Sequence, residues 1–297
     1  MNPVMWALLG GIIIGNLFKL PEKINKIVNW SSSNLLEYAI IMMAFGINYS
    51  NFGKTGWLPF IGIFLIVLVV LWIGVSLSKK FNCPGSTGIL VSFGTAICGS
   101  SAIAALAPSL KNKDKEDVAI AMAVVNLLGT IGMLVFPWAL MDIHWAAEKM
   151  GFFIGASLHS VGNVAGAGYA ISEQTGNAAI AIKMARVAML TPGLIFIKFL
   201  INRGENQNWK EQFKLPYYLI AFILITLLTS YFNIPNEVLS YSKIAGEVFL
   251  TGAMAAIGLK VSFTKLLNAG QRGLKFGLVI FAIQMAMVTV WAVVGGL

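Results

Sequence analysis

Two basic residues, Lys183 and Arg186, stand in a stretch otherwise made of apolar and small side chains, Ala178 to Leu190. Three residues apart, they share one face of a helix. If that helix starts near Asn177, Arg186 lies about 14 Å along it at ~1.5 Å per residue, near the middle of a bilayer. A central Arg or Lys costs roughly 2.5–3.5 kcal/mol on insertion scales, so the pair is expected to face the protein interior. A guanidinium there can donate two parallel hydrogen bonds to an oxyanion. The chemistry to expect is therefore anion recognition. The structural alternatives are snorkelling of Lys183 to the interface and an ion pair of Arg186 with Glu148 or Glu173.

Two interrupted segments supply complementary groups. One reads Gly94-Thr95-Ala96-Ile97-Cys98-Gly99-Ser100-Ser101-Ala102, the other Gly155-Ala156-Ser157-Leu158-His159-Ser160-Val161-Gly162-Asn163. Glycine and serine favour breaks and caps over helix interiors. In a membrane, non-helical backbone is tolerated only inside protein or beside a water-filled cavity, and such breaks point to a transporter's binding site. The helix starts after the breaks offer free N–H groups and partial positive charge to an anion. Cys98, Gly99, Ser100, Ser101, His159, Ser160 and Asn163 are accordingly the candidate substrate-binding residues, together with Lys183 and Arg186. His159 could donate a hydrogen bond and gain a charge on protonation. Asn126 could take part in coupling. Glu37 and Glu247, near the starts of two other segments, are the best carboxylate candidates for proton coupling.

The elements that must position these residues follow from composition. The chain has 297 residues, of which 11% are charged and 58% hydrophobic. Its mean hydropathy is +0.80. Soluble domains carry about 25% charged residues, and a soluble fold could not hide this much apolar surface. A cytosolic enzyme, a nucleic-acid module and a disordered chain are excluded, and the net charge of +9 is no nucleic-acid footprint. The expected fold is an all-α polytopic membrane protein. About ten apolar segments fall near 3–18, 34–50, 57–78, 85–110, 117–141, 149–172, 177–202, 215–233, 240–260 and 273–296. No Lys or Arg precedes the first, so it reads as a retained span and not a cleaved leader. No linker is long enough to divide domains. Residues 1–297 form one transport domain, with a core over about 81–203 and scaffold segments over about 1–80 and 204–297.

The segments also repeat. Phe18-Lys19-Leu20-Pro21 is echoed by Phe232-Asn233-Ile234-Pro235, and the stretch Ala44 to Ser50 by Ala256 to Ser262. In the middle, Gly94 aligns with Gly155, Ile97 with Leu158, Cys98 with His159, Ala102 with Asn163, and Asn126 with Arg186. If segments four and six are re-entrant, Lys and Arg gather on the inside loops with both termini outside, as the positive-inside rule prefers. The two copies of each repeat then have opposite orientation, the pattern of inverted-repeat transporters.

The ordered set Gly94 to Gly99, Ala107-Pro108, Gly155 to His159 and Lys183-Met184-Ala185-Arg186 resembles the YeiH family of bacterial inner-membrane proteins, commonly labelled sulfate exporters. The resemblance covers nearly the whole chain. It implies kinship with the bile-acid/sodium symporter and sodium/proton antiporter superfamily, and interrupted helices meeting at mid-membrane. Family members typically follow the histidine with glutamate and place glutamine three residues later; here those positions are Ser160 and Asn163.

The function expected is secondary transport of a small anion, sulfate or an organic sulfonate, by alternating access in the bacterial inner membrane. An anion channel and a sodium-coupled symporter of an organic anion are the alternatives. No HExxH, GxSxG or mid-span aspartate pair is present, so the chain is not expected to be an enzyme. No cofactor is expected, and the coupling ion, Na+ or H+, stays open. The expected partners are the anion and the lipid bilayer, with no nucleic acid. Gly11-Ile12-Ile13-Ile14-Gly15, a GxxxG, could pack a homodimer.

Overall fold

The structure, a computed structural model, describes residues 3–18, 21–46, 58–81, 83, 86–107, 110, 115–201, 217–260 and 271–294. Every regular element among them is helical: α1 (Pro3–Leu17), α2 (Glu22–Met43), α3 (Leu58–Lys80), α4 (Thr87–Ala96), α5 (Ser100–Leu106), α6 (Lys115–Met141), α7 (Ala147–Ser157), α8 (Val161–Ile171), α9 (Glu173–Ala188), α10 (Leu190–Ile201), α11 (Tyr217–Tyr231), α12 (Asn236–Lys260) and α13 (Gln271–Val294). A 3-10 turn, Ala44–Gly46, follows α2.

Each of the ten apolar segments holds helix. Among the described residues, α3, α6, α12 and α13 are long and apolar enough to span. The pair α9–α10, bent by 44°, makes a fifth if taken as one span. A spanning helix needs about 20 residues. α1 and α11 have 15 each, and the segments over 85–110 and 149–172 are broken in the middle. α2 starts at Glu22, well before the apolar stretch expected from residue 34. Pro21, with φ −57°, precedes its first turn, and Glu22 pairs with Lys26 at 3.8 Å, so a polar, exposed stretch extends the helix. The echoes at residues 19–20, 47–50 and 261–262 lie outside the described residues.

The helices pack in two groups. In the first, α1 and α2 lie on α12. Gly11 and Gly15 of α1 face Ala255, Gly258 and Leu259 so closely that a Cβ on either would strike the α12 backbone. The GxxxG is thus used within the chain, and α12 occupies the face expected to pair with a second copy. In the second group, α3 and α13 pack on α4, and α13 also on α6 and α7. Gly74 of α3 lets Ser92 of α4 approach, and Gly277 of α13 admits Val91 and Val124.

Both broken segments double back. Asp117, at the start of α6, accepts hydrogen bonds from Ser86 N (2.8 Å), Ser86 Oγ (3.1 Å) and Thr87 Oγ1 (2.8 Å) at the start of α4. The chain therefore returns to where α4 began. Likewise Gly151 of α7 and Gly168 of α8 both pack on α9 between Thr175 and Ala179, so the two ends of α7–α8 lie together beside the start of α9. Asp117→Asn keeps the shape but removes the charge and one acceptor. It is expected to destabilise the protein by about 1–3 kcal/mol, read as a lower thermal midpoint in detergent.

Candidate functional site: the crossing of two broken helices

The breaks follow from local sequence. α4 stops at Ala96, and the turn needs φ +72° and ψ −132° at Gly99, a region essentially closed to residues with a Cβ. Gly99 N donates to Gly94 O (2.8 Å), and Ile103 of α5 packs back on Gly94. α7 stops at Ser157 and Leu158 turns extended. Ser160 then caps α8, its Oγ accepting from Asn163 N at 3.1 Å. Ser160→Ala is expected to destabilise α8 by roughly 1 kcal/mol, checked by thermal unfolding. The two turns meet: a Cβ on Gly99 would lie 3.5 Å from His159 O.

Lys183 and Arg186 face this meeting point, 0% and 2% exposed. Lys183 Nζ donates to Ile97 O and Leu158 O, each at 2.8 Å. Arg186 Nε donates to Ala96 O (3.3 Å), Nη1 to Gly155 O (3.2 Å), Ala156 O (2.7 Å) and Leu158 O (3.1 Å), and Nη2 to Thr95 O (2.6 Å). These carbonyls are the unpaired acceptors and the partially negative ends of α4 and α7. Two cations therefore tie two helix ends. Among the described residues no acid pairs with Arg186: Glu173 pairs instead with Lys243 of α12 at 2.7 Å. Gln284 of α13 completes the clamp, its Nε2 donating to Ala156 O and Ser157 O, each at 2.9 Å.

The other sequence candidates divide. Ser100 Oγ donates to Asn126 Oδ1 of α6 (2.7 Å), and Ser101 Oγ donates to Cys98 O (3.1 Å) with Cys98 Sγ 3.0 Å away. Ser101 and Asn126 are exposed, whereas Cys98, His159 and Asn163 are buried. Gly129 of α6 lies against both His159 and Asn163. Cys98, Gly99, Ser100, Ser101, His159, Ser160, Asn163, Asn126, Lys183 and Arg186 thus gather round one crossing. Glu37 and Glu247 do not. Glu37 of α2 accepts from the Tyr217 hydroxyl of α11. Glu247 of α12 lines a separate cavity of about 610 Å³ with Glu173, Lys243, Tyr169 and Asn177. Asp117 and Gln284 were not singled out from sequence. A glutamine inside the apolar run of α13 was the available signal for the second. Among the described residues, no three His, Cys, Asp or Glu side chains gather as metal ligands.

Several long apolar helices around a buried cationic clamp on two broken helices define a polytopic membrane protein. The chain belongs to the family described as Conserved hypothetical protein 698, which matches residues 1–277. It is 31% identical to the UPF0324 inner membrane protein YeiH of Escherichia coli K12, over 98% of this chain and 82% of that protein. The UPF0324 membrane protein plu2856 of Photorhabdus laumondii is likewise 31% identical, with the same coverage. A UPF0324 membrane protein of Bacillus cereus is 28% identical over 94% of this chain and 83% of its own. No solved structure matches the chain.

Proposed function

We propose that the protein is a secondary transporter of a small anion, sulfate or an organic sulfonate, acting as an exporter or exchanger by alternating access. The observation that carries this is the crossing. Lys183 and Arg186 bring two full positive charges to helix ends that supply about half a negative charge each, so the clamp is net positive. Neither forms an ion pair among the described residues. The start of α8, with Ser160 and Asn163, and the hydroxyls of Ser100 and Ser101 lie at the same place, where an anion would meet N–H and O–H donors.

The inverted-repeat reading fits this geometry. Ile97 and Leu158, which align across the repeat, give their carbonyls to the same Lys183 Nζ. The core would hold the crossing at mid-membrane and move against α1, α2 and α12. The inner membrane is the expected location, as the Escherichia coli relative's name states for that protein, with both termini outside. Cysteines placed at the exposed positions His144 and Gln174, which flank α7–α8, should label from the same side of the membrane. Labelling from opposite sides would contradict re-entry.

The function is tested by a binding screen of small anions on purified protein, with and without sodium and at two pH values. Saturable binding of sulfate or a small sulfonate is expected. Ser101→Leu and Asn163→Leu should abolish it while the protein stays folded, because each sets an apolar side chain at the tips. Normal binding by both variants would place the site elsewhere.

A further inference from the structure

Six buried side-chain nitrogen and oxygen atoms lack a hydrogen-bond partner among the described residues, and five of them sit at the crossing. They are Thr95 Oγ1, Ser157 Oγ, both ring nitrogens of His159 and Gln284 Oε1. Buried polar groups are nearly always satisfied, and an orphaned one is destabilising. Four side chains at the crossing therefore carry buried polar atoms with no partner of their own. Their places are fixed independently. Thr95 and Ser157 belong to the ends of α4 and α7, Gln284 is held by its two bonds to α7, and the His159 ring lies 4.8 Å from that of Phe281 on α13.

We propose that His159 is the coupling group of the transporter and takes up one proton as the anion binds. This rests on the transport reading above and names its coupling ion. Imidazole is the side chain that ordinarily titrates between pH 5 and 8. The charged groups facing it are Lys183 and Arg186 on α9; the Cys98 thiol lies beside the same two cations. Among the described residues, the other contacts of that place are not ionisable: Gly129 of α6, Asn163 of α8, and Phe281 and Gln284 of α13.

The charges set the coupling. In the empty crossing a protonated His159 would add a third positive charge to two. A bound anion offsets that repulsion, and a protonated His159 attracts the anion, so each favours the other reciprocally. The proton comes from the aqueous phase, binds the free ring nitrogen without breaking another bond, and leaves when the site opens to the other side.

The test uses the purified full chain with sulfate and methanesulfonate as probes, from about pH 5.5 to about 8.5. Between the pH at which His159 titrates in the empty site and the higher pH at which it titrates with anion bound, affinity should weaken about tenfold per pH unit, the slope of one linked proton. Proton uptake measured in weak buffer should be one per anion bound. His159→Gln and His159→Asn should bind with little pH dependence and no uptake. Wild-type binding that is flat in pH and draws no proton overturns the proposal and leaves the transport reading standing. A pH slope retained in both variants also overturns it. Absence of anion binding at any pH overturns both. If the variants fail to fold, the proton count on wild type decides alone.

Discussion

Arg186→Gln is expected to lower the stability of the purified protein by roughly 3–5 kcal/mol, more than any other single substitution at the crossing. The guanidinium donates five hydrogen bonds to carbonyls of Thr95, Ala96, Gly155, Ala156 and Leu158, all inside the protein. Glutamine is shorter, uncharged and has one NH2, so most of these carbonyls lose their partner. Each charge-assisted bond is worth about 1.5–3 kcal/mol, but they share a few acceptors and do not add. The change also removes a full charge from between the ends of α4 and α7, whose partial negative charges then repel. Arg186→Lys keeps that charge and loses the fork, so it should fall between wild type and Gln. Thermal unfolding and limited proteolysis check the order. A Gln variant as stable as wild type would mean that the carbonyls find other donors.

Lys183→Met is the second large effect. Methionine has nearly the volume of the lysine stem, so packing survives while the two 2.8 Å bonds to Ile97 O and Leu158 O disappear. The expected loss is about 2–4 kcal/mol. Leu158 O accepts from both cations. The double variant should therefore lose less than the sum of the singles, a coupling of roughly 0.5–3 kcal/mol in a double-mutant cycle. Additive losses would mean that the two cations act on separate parts of the fold.

The cations and the breaks were legible in the sequence for the same reason. A charge amid apolar residues is too unfavourable to face lipid, and Gly99, Ser100 and Ser160 favour chain breaks over helix interiors. What Lys183 and Arg186 bind was not legible, because their partners are backbone carbonyls, which every residue carries. Acid side chains were the visible alternative, and Glu173 was drawn to Lys243 instead. Asp117 looked like an ordinary acid at a helix start. Its three bonds to Ser86 and Thr87 arise only because the intervening segment doubles back. The unbroken length of each apolar run was less legible, because hydropathy registers apolar residues and not where a helix stops. The packing of α3 and α13 on α4 uses close contacts at Gly74 and Gly277, and pairing of that kind leaves no pattern in a single sequence.

The claim that the crossing carries a small anion is tested most directly by counterflow in proteoliposomes. Vesicles holding wild-type protein would be loaded with unlabelled sulfate or methanesulfonate, and uptake of the same labelled anion followed from outside. The account predicts saturable uptake that is accelerated by anion on the far side and lost in Asn163→Leu. Uptake that never saturates and ignores the anion inside, or no uptake of any anion by folded protein, would contradict it.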